Sequence, residues 1–178
     1  LVACLSVARE RELGTFDQLL VTPLRPAEIL LGKALPAFLV GMVEATAIAA
    51  VAVGWFGVPF TGSLALLYLA LALFIVAVVG VGLMISAVAR TQQQAILGAF
   101  LFVVPAVILS GFATPIANMP EAIQVLTYAN PLRYVLIVLR GLFLQDLPAA
   151  LALGHLWPLL PIAACTMAAA AWMFRRLQ

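Results

Sequence analysis

The sequence contains few charged residues. Nine residues are Lys or Arg and seven are Asp or Glu, which is 9% of the 178 residues, whereas a soluble domain carries about 25%. Hydrophobic residues make up 66%, and the mean hydropathy is +1.20. This composition excludes a disordered chain and argues against a soluble globular domain. The few basic residues form no stripe that would neutralise phosphates, so nucleic acid is excluded as a partner.

Cysteine and histidine are equally scarce. Cys4 and Cys165 both lie in apolar runs, and we expect small hydrophobic side chains rather than a disulfide or a metal site. The single histidine, His155, is expected near a membrane interface and not as a ligand or general base. The sequence also lacks serine-hydrolase, zinc-protease and C-x-x-C patterns. It therefore predicts no catalytic residue, no metal site and no cofactor bound by this chain.

Three long stretches carry no charge, and they predict the fold class. About 20 helical residues cross the bilayer core, and unpaired backbone groups in lipid are so costly that strands without a closed barrel are excluded. The uninterrupted apolar runs lack the alternation of a membrane barrel. The prediction is an all-α, polytopic transmembrane helical bundle in one domain, residues 1–178. Four full spans are expected, at about 34–56, 63–89, 94–112 and 151–174.

The first residues and the prolines refine this prediction. Leu1–Ala8 is apolar but too short to cross, and the chain does not begin with Met, so we expect the end of a truncated span and a missing N-terminal part. Pro36 is expected in the first turn of its helix, where proline is tolerated. Pro105 predicts a kink in mid-span, and Pro158 and Pro161 predict an irregular start to the last helix.

The basic residues predict the orientation. If residues 9–33 are cytoplasmic, alternating spans put Arg90 and the pair Arg175–Arg176 on the same side. Two arginines, Arg133 and Arg140, then fall on the outer side, in a longer segment that weighs less in the positive-inside rule. We therefore expect residues 9–33 and the C-terminus in the cytoplasm.

Residues 9–33 form the most polar segment. The charged cluster, Arg9-Glu10-Arg11-Glu12, precedes apolar residues at helical spacing, so we expect an amphipathic helix that ends at Thr22-Pro23, followed by a turn and a second helix start. Two interpretations stay open. The helix lies in the lipid headgroups, or it docks on a cytoplasmic partner, which the alternating charges favour.

The outer segment, residues 113–146, contains two short helices. Asn118 to Glu121 is typical of a helix start, Asn130-Pro131 breaks the chain, and a 13-residue apolar stretch follows that is too short to cross. We expect a re-entrant helical hairpin in the outer leaflet; an interfacial helix pair is the alternative. The residues that define the hairpin are Pro115, Asn118, Pro120, Asn130, Pro131, Arg133 and Arg140.

One acid, Glu44, lies inside an expected span. A charge there costs roughly 2.5–3.5 kcal/mol on insertion scales, so Glu44 should face the bundle interior or a cavity. It is a candidate for contact with a cationic substrate or a coupling proton, and the alternative is a protonated structural acid. Gly82 and Ser86, four residues apart, would permit close helix packing. In a chain this rich in Gly and Ala, such spacing carries little weight.

Two segments resemble a known family. The run RERELGTFDQLLVTPLRPAEILLGK (9–33) and the runs LSGFATPIANMP (109–120) and YANPLRYVLIVLRGLFLQ (128–145) match type-2 ATP-binding cassette (ABC) exporter permeases in content, order and separation. They cover about a third of the chain. The resemblance is closest to bacterial multidrug, daunorubicin-type and nodulation-type permeases. It implies an inner-membrane protein with six spans, of which this chain keeps the last four and the end of the second.

The resemblance also implies partners. A second permease copy and two cytoplasmic ATPase subunits or domains would complete the exporter, with ATP and Mg²⁺ bound by the ATPase. The segment matching 9–21 would be the coupling helix that sits in a groove of the ATPase, followed by the turn at Pro23, Arg25 and Pro26. The implied coupling residues are Arg9, Glu10, Arg11, Glu12, Leu13, Gly14, Thr15, Phe16, Leu19 and Leu20.

The chain itself has no phosphate-binding loop. Gly32-Lys33 resembles the end of one, but Ala27 and Ala34 stand where the first glycine and the Ser or Thr would be. ATP hydrolysis is therefore expected in a partner, and the chain is expected to be a transport subunit that moves a drug-like, lipid-like or glycan-like substrate outward. The alternatives are an ATP-independent carrier or channel, which usually has ionisable residues in several spans, and a membrane scaffold that transports nothing.

Overall fold

The described residues, 1–14, 26–144 and 148–176, are predominantly helical in a computed structural model of the chain. No strand occurs among them. In chain order the elements are α1 (Val2–Glu12), α2 (Pro26–Gly54), α3 (Leu64–Val88), α4 (Gln92–Leu109), a single 3₁₀ turn (Ile116–Asn118), α5 (Glu121–Thr127), α6 (Pro131–Leu144), α7 (Ala149–Leu156) and α8 (Leu159–Arg176).

Four segments are long and apolar enough to cross a membrane, which confirms the predicted all-α polytopic bundle. They are Glu28–Gly54, Leu64–Val88, Gln92–Leu109 and Ala149–Arg176. The short helices α5 and α6 would make a fifth only if they formed one broken span, since they are bent by 78° across their junction. Length and composition therefore agree with the four expected spans, and the re-entrant position of the bent pair in the membrane stays a prediction.

The predicted effects of the prolines on their helices are confirmed only in part. Pro36 lies well inside α2 and not in its first turn, because the polar residues after Pro26 continue the helix beyond the apolar part. The irregular start of the last span is confirmed, since α7 ends at Leu156 and α8 begins at Leu159, with Pro158 between them. Pro105 lies inside α4, which ends four residues later, and its kink stays a prediction.

Helix α3 is the centre of the bundle and packs against α8, α1, α2 and α6. One apolar core surrounds its second half, where Val79 and Leu83 meet side chains of α1, α2 and α8. A second core surrounds its first half, where Leu67 and Ala70 meet α6, α7 and the start of α8. Helix α3 therefore joins the two cores. We call its end near Leu64 the hairpin end and its end near Val88 the charged end.

Two glycines of α3 allow neighbouring helices to approach closely. A Cβ at Gly80 would lie 2.6 Å from Thr166 Oγ1 of α8, and one at Gly82 would lie 2.9 Å from the Ala3 Cβ of α1. One turn further, the fully buried Ser86 accepts hydrogen bonds from two backbone N–H groups of α1. The Gly82–Ser86 spacing, which carried little weight in the sequence, therefore forms the seam between α1 and α3.

Candidate functional site

The charged cluster closes α1. The helix ends at Leu13, whose N–H bonds to the carbonyl of Arg9 at 3.0 Å, and Gly14 follows with a φ of +71°. Glycine in the left-handed region directly after the last turn is a common way for a helix to end. The expectation that an amphipathic helix begins at Arg9 and runs to Thr22 is therefore wrong at its start, because Gly14 breaks the helix two residues after Glu12.

The remaining coupling candidates lie at this break or after it in the chain. Pro26 is the first residue of α2. Leu13 and Gly14 are exposed at the turn. The others, Thr15, Phe16, Leu19, Leu20, Pro23 and Arg25, lie outside the described residues, so their coupling role stays a prediction.

Three side chains of the charged cluster tie α1 to the neighbouring helices. Glu10 forms an ion pair with Lys33 of α2, with 2.6 Å between Oε1 and Nζ. Arg11 donates through Nη1 to the carbonyl of Ala89 at 3.3 Å. Glu12 Oε2 accepts a hydrogen bond from the backbone N–H of Gln92 at 2.9 Å. These contacts fasten the end of α1 to the start of α2 and to the connection between α3 and α4.

The charged cluster is partly buried and has basic neighbours. Burial lowers the pKa of the Arg11 guanidinium, and the nearby positive charge of Arg90 lowers that pKa further. Arg9 and Glu12 are both exposed, and among the described residues only Glu12 of these two has a hydrogen bond to a neighbouring helix. Of the four charged side chains, Arg9 is therefore the one whose replacement should least disturb the packing of the bundle.

Two side-chain hydrogen bonds cap the start of α4 at its connection with α3. Thr91 Oγ1 accepts from the Gln94 N–H at 3.3 Å, and Gln94 Oε1 accepts from the Arg90 N–H at 2.9 Å. The first bond satisfies one N–H group that a helix start leaves open, and the second bonds the N–H of the residue before the N-cap. These two bonds were not predicted from the sequence, although the Thr91-x-x-Gln94 pattern is typical of a helix start. The N–H of Gln92, which bonds to Glu12, lies between them in the chain.

Glu44 lines a cavity of about 400 Å³ between α1, α2, α3 and α4. Its neighbours in the lining are apolar or small, including Gly41, Ile75 and Phe102. The side chain is exposed and is not packed in a core. This position agrees with the expectation that a carboxyl group in a span faces a cavity. Whether it meets a cation or a proton there stays a prediction.

Asn130 joins the hairpin to the end of α4. Its Nδ2 donates to the carbonyl of Ala106 at 2.7 Å, and its Oδ1 accepts from the N–H of Leu132 at 3.0 Å. The Ala106 carbonyl lies in the last turn of α4, where carbonyls lack helical partners, and the Leu132 N–H lies in the first turn of α6. One buried amide therefore caps two helices and fixes the corner between α5 and α6.

The other hairpin residues have the expected places. Pro115 precedes the 3₁₀ turn that ends at Asn118, and Pro120 precedes α5, whose first N–H groups bond to the Pro120 carbonyl. Pro131 begins α6. The predicted helix start near Pro120 and the predicted break at Asn130-Pro131 are both confirmed.

The two arginines of α6 have different surroundings. The Arg133 guanidinium donates to Thr127 Oγ1 and lies 4.3 Å from the centre of the Tyr128 ring. It therefore braces α6 against α5 through a hydrogen bond and a cation–π contact. Arg140, seven residues later, is exposed and lines a groove beside α2.

A family model and individual related proteins both indicate the same family for this chain. The model of the ABC-2 type transporter family matches residues 1–144. The protein named "Probable multidrug ABC transporter permease YbhR" from Escherichia coli (strain K12) is 46% identical over 176 residues, 99% of this chain and 48% of that protein. "Probable multidrug ABC transporter permease YbhS" from the same strain is 38% identical over 88% of this chain and 42% of that protein.

A more distant relative extends the comparison. "Linearmycin resistance permease protein LnrN" from Bacillus subtilis (strain 168) is 30% identical over 92% of this chain and 42% of that protein. No solved structure is significantly similar to the chain. The chain spans about half the length of the curated relatives that it matches. With four apolar spans and this family match, the chain is a multi-pass membrane protein that belongs to the ABC-2 type transporter family.

Proposed function

We propose that this chain is part of the permease of an ATP-driven exporter, in which a partner ATPase binds ATP with Mg²⁺ and drives outward transport. The family match and the relatives that are named ABC transporter permeases support this function. The structural observation that carries it is the attachment of the charged cluster to three neighbouring elements. A force applied next to this cluster acts on several spans at once.

The contacts suggest how the force would be passed on. Residues 13–25 connect the end of α1 to the start of α2, and the Glu10–Lys33 pair joins the same two helices. Glu12 adds the start of α4. A displacement of residues 13–25 by a closing ATPase would therefore move α1, α2 and the α3–α4 connection together. Transport follows if nucleotide and substrate favour different arrangements of these helices.

The distribution of basic residues supports the orientation. Lys33, Arg90 and the last turn of α8 lie toward the charged end, close to the end of α1. Basic residues concentrate on the cytoplasmic side of membrane proteins. We therefore assign the charged end to the cytoplasm, the hairpin end to the outer face, and the protein to the bacterial inner membrane. The α5–α6 pair is then a re-entrant hairpin held to α4 by Asn130.

A second copy of the permease completes the exporter in this proposal, as the family resemblance implies. The substrate path would include the cavity beside Glu44, where a carboxylate surrounded by apolar side chains favours a cation. A large share of α2 is exposed along this side, including Leu39 and Val43. A second copy or the remainder of the protein would cover such an apolar surface.

The test of the proposal is co-purification and transport by the full-length protein that contains this chain. It should be expressed with the ATPase encoded beside its gene, purified as a complex and reconstituted in vesicles. We expect ATP-dependent export of a cationic dye. Failure of any ATPase to co-purify, or export that continues without ATP, would overturn the proposal in favour of a carrier or a scaffold.

Two variants separate docking from packing. Arg9→Glu changes an exposed side chain and should weaken ATPase binding without lowering the stability of the permease. Lys33→Gln removes the partner of Glu10 and should leave ATPase binding intact while reducing the transport obtained per ATP hydrolysed. If Arg9→Glu leaves both binding and transport unchanged, the exposed side of the charged cluster does not dock on the ATPase.

A further inference from the structure

A second groove lies toward the hairpin end, and its lining does not include Glu44. It has a volume of about 450 Å³ and lies between the second half of α2, the start of α3 and the end of α6. Ala49 and Ala52 of α2, Leu71 of α3 and Phe143 of α6 form parts of its wall. Among the described residues of the lining, Arg140 is the single charged one. The groove is therefore an apolar slot with one cationic group.

Small side chains open this groove. Ala45, Ala49 and Ala52 are spaced by four and three residues, so they share one face of α2 and leave room where larger side chains would fill the gap. The strip they form extends over about 10 Å of helix at 1.5 Å per residue. A slot of this length and polarity suits part of a flexible hydrocarbon chain.

Arg140 is available for a ligand. Among the described residues it takes part in no hydrogen bond, ion pair or ring contact, whereas Arg133 on the same helix is occupied by Thr127 and Tyr128. A guanidinium presents planar pairs of N–H donors that match phosphate oxygens. Its placement beside apolar walls would be unfavourable for a free inorganic anion, which gains nothing from those walls, and favourable for an anion that carries a hydrocarbon tail.

Neighbouring aromatic residues indicate the depth of the groove. Trp55 and Phe56 follow the last turn of α2 and are largely exposed, which is typical of residues at the boundary between headgroups and hydrocarbon. The groove begins near this level, at Val58, and continues along α2 toward Ala45. Its charged and apolar parts therefore lie where the phosphate and the chains of a lipid in one leaflet would be.

We propose that this groove binds an anionic phospholipid from the outer leaflet, with its phosphate on Arg140 and one acyl chain against Ala49 and Ala52. The lipid would fill the gap between α2 and α6 and thereby connect the hairpin to a span. The combination of a cation that has no partner among the described residues and an otherwise apolar lining carries the proposal. Binding itself does not depend on how transport is driven, and the choice of the outer leaflet rests on the orientation proposed above.

Native mass spectrometry of the full-length protein tests this site. The protein is titrated with phosphatidylglycerol and, separately, with zwitterionic phosphatidylcholine. We expect Arg140→Ala to weaken phosphatidylglycerol binding about tenfold, since hydrogen bonds to charged groups are among the strongest, and to change phosphatidylcholine binding much less. The matched control is Arg175→Ala, which removes an exposed arginine at the opposite end of the bundle and should change neither. Unchanged phosphatidylglycerol binding by Arg140→Ala would overturn the proposal.

A second pair of variants tests the acyl-chain part. Ala49→Phe fills the groove and should weaken the binding of both lipids, whereas Val43→Phe changes an exposed position on the same helix outside the lining and should weaken neither. Arg140→Ala remains an independent test if Ala49→Phe does not fold. Cross-linking of Ala49→Cys in membranes, in a background without Cys4 and Cys165, gives a further outcome. Efficient cross-links to a second copy or another protein segment would show a protein in the groove and contradict a lipid.

Discussion

Replacement of Gly80 by alanine tests the central helix contact of the bundle. A Cβ at this position would lie 2.6 Å from Thr166 Oγ1, 2.8 Å from Thr166 Cβ and 2.9 Å from the Thr166 carbonyl carbon. Rotation about χ1 of Thr166 would relieve only the first contact, because the other two atoms do not move with that torsion. Gly80→Ala therefore forces α3 and α8 apart, at the contact that joins the two apolar cores.

The size of the effect follows from two opposing contributions. One extra methyl group in a well-packed core costs typically about 1–3 kcal/mol. Alanine in place of glycine in a helix recovers roughly 0.5–1 kcal/mol of backbone entropy. The expected net loss for Gly80→Ala is about 0–2.5 kcal/mol relative to the parent, and about 1–3 kcal/mol relative to a helical Gly→Ala change whose methyl group meets no neighbour. Thr166→Ala in the same chain should restore only part of it, because the Cβ and carbonyl carbon of residue 166 remain.

The assay is reversible unfolding of the full-length protein in detergent, followed by circular dichroism. The control is Gly154→Ala in α7, where an added Cβ meets nothing within 4 Å and should cause no loss. If Gly80→Ala is as stable as the parent and as the control, α3 and α8 do not pack as closely as described, and the reasoning is refuted.

Two further predictions concern the hairpin and the cavity. Asn130→Ala removes the caps of α4 and α6 together and should destabilise the protein by about 1–2 kcal/mol, with faster proteolysis near the hairpin; Asn130→Asp, which keeps the acceptor but loses the donor to the Ala106 carbonyl, should be intermediate. Equal proteolysis of all three proteins would contradict this capping role. Glu44→Gln should lower the export of cationic dyes but not of neutral ones, with assembly unchanged on size-exclusion chromatography. If the assembled variant exports cationic dyes as well as the parent does, Glu44 is a structural acid.

The spans and the hairpin were predictable because each depends on local sequence. Seven of the eight expected span ends lie within three residues of the observed helix ends, and the break at Asn130-Pro131 was placed correctly. The length of a charge-free stretch shows directly whether it can cross the bilayer. Proline and asparagine influence the conformation of the backbone at their own positions. The helix start predicted at Pro26 is confirmed. The expected crossing begins eight residues later, because hydropathy marks where the apolar part begins and not where helical hydrogen bonding begins.

The partners of the charged residues were not predictable in the same way. Composition and spacing identified Arg9–Glu12 as unusual, but they suggested a helix start, and the cluster closes α1 instead. The ion pair with Lys33 and the bond to the N–H of Gln92 join residues far apart in the chain. Likewise, the sequence placed Arg133 and Arg140 in the hairpin without showing that one is bound by Thr127 and the other lines a groove.

The order of apolar and polar residues thus determines membrane insertion and helix formation, because each segment of about 20 residues interacts with the bilayer independently of the others. Close contacts are different in kind. Whether Gly80 meets Thr166, whether Ser86 receives the N–H groups of α1, and whether Arg140 has a protein partner depend on how helices distant in sequence are rotated and positioned against one another. That arrangement results from packing of the whole bundle, and no single segment contains it.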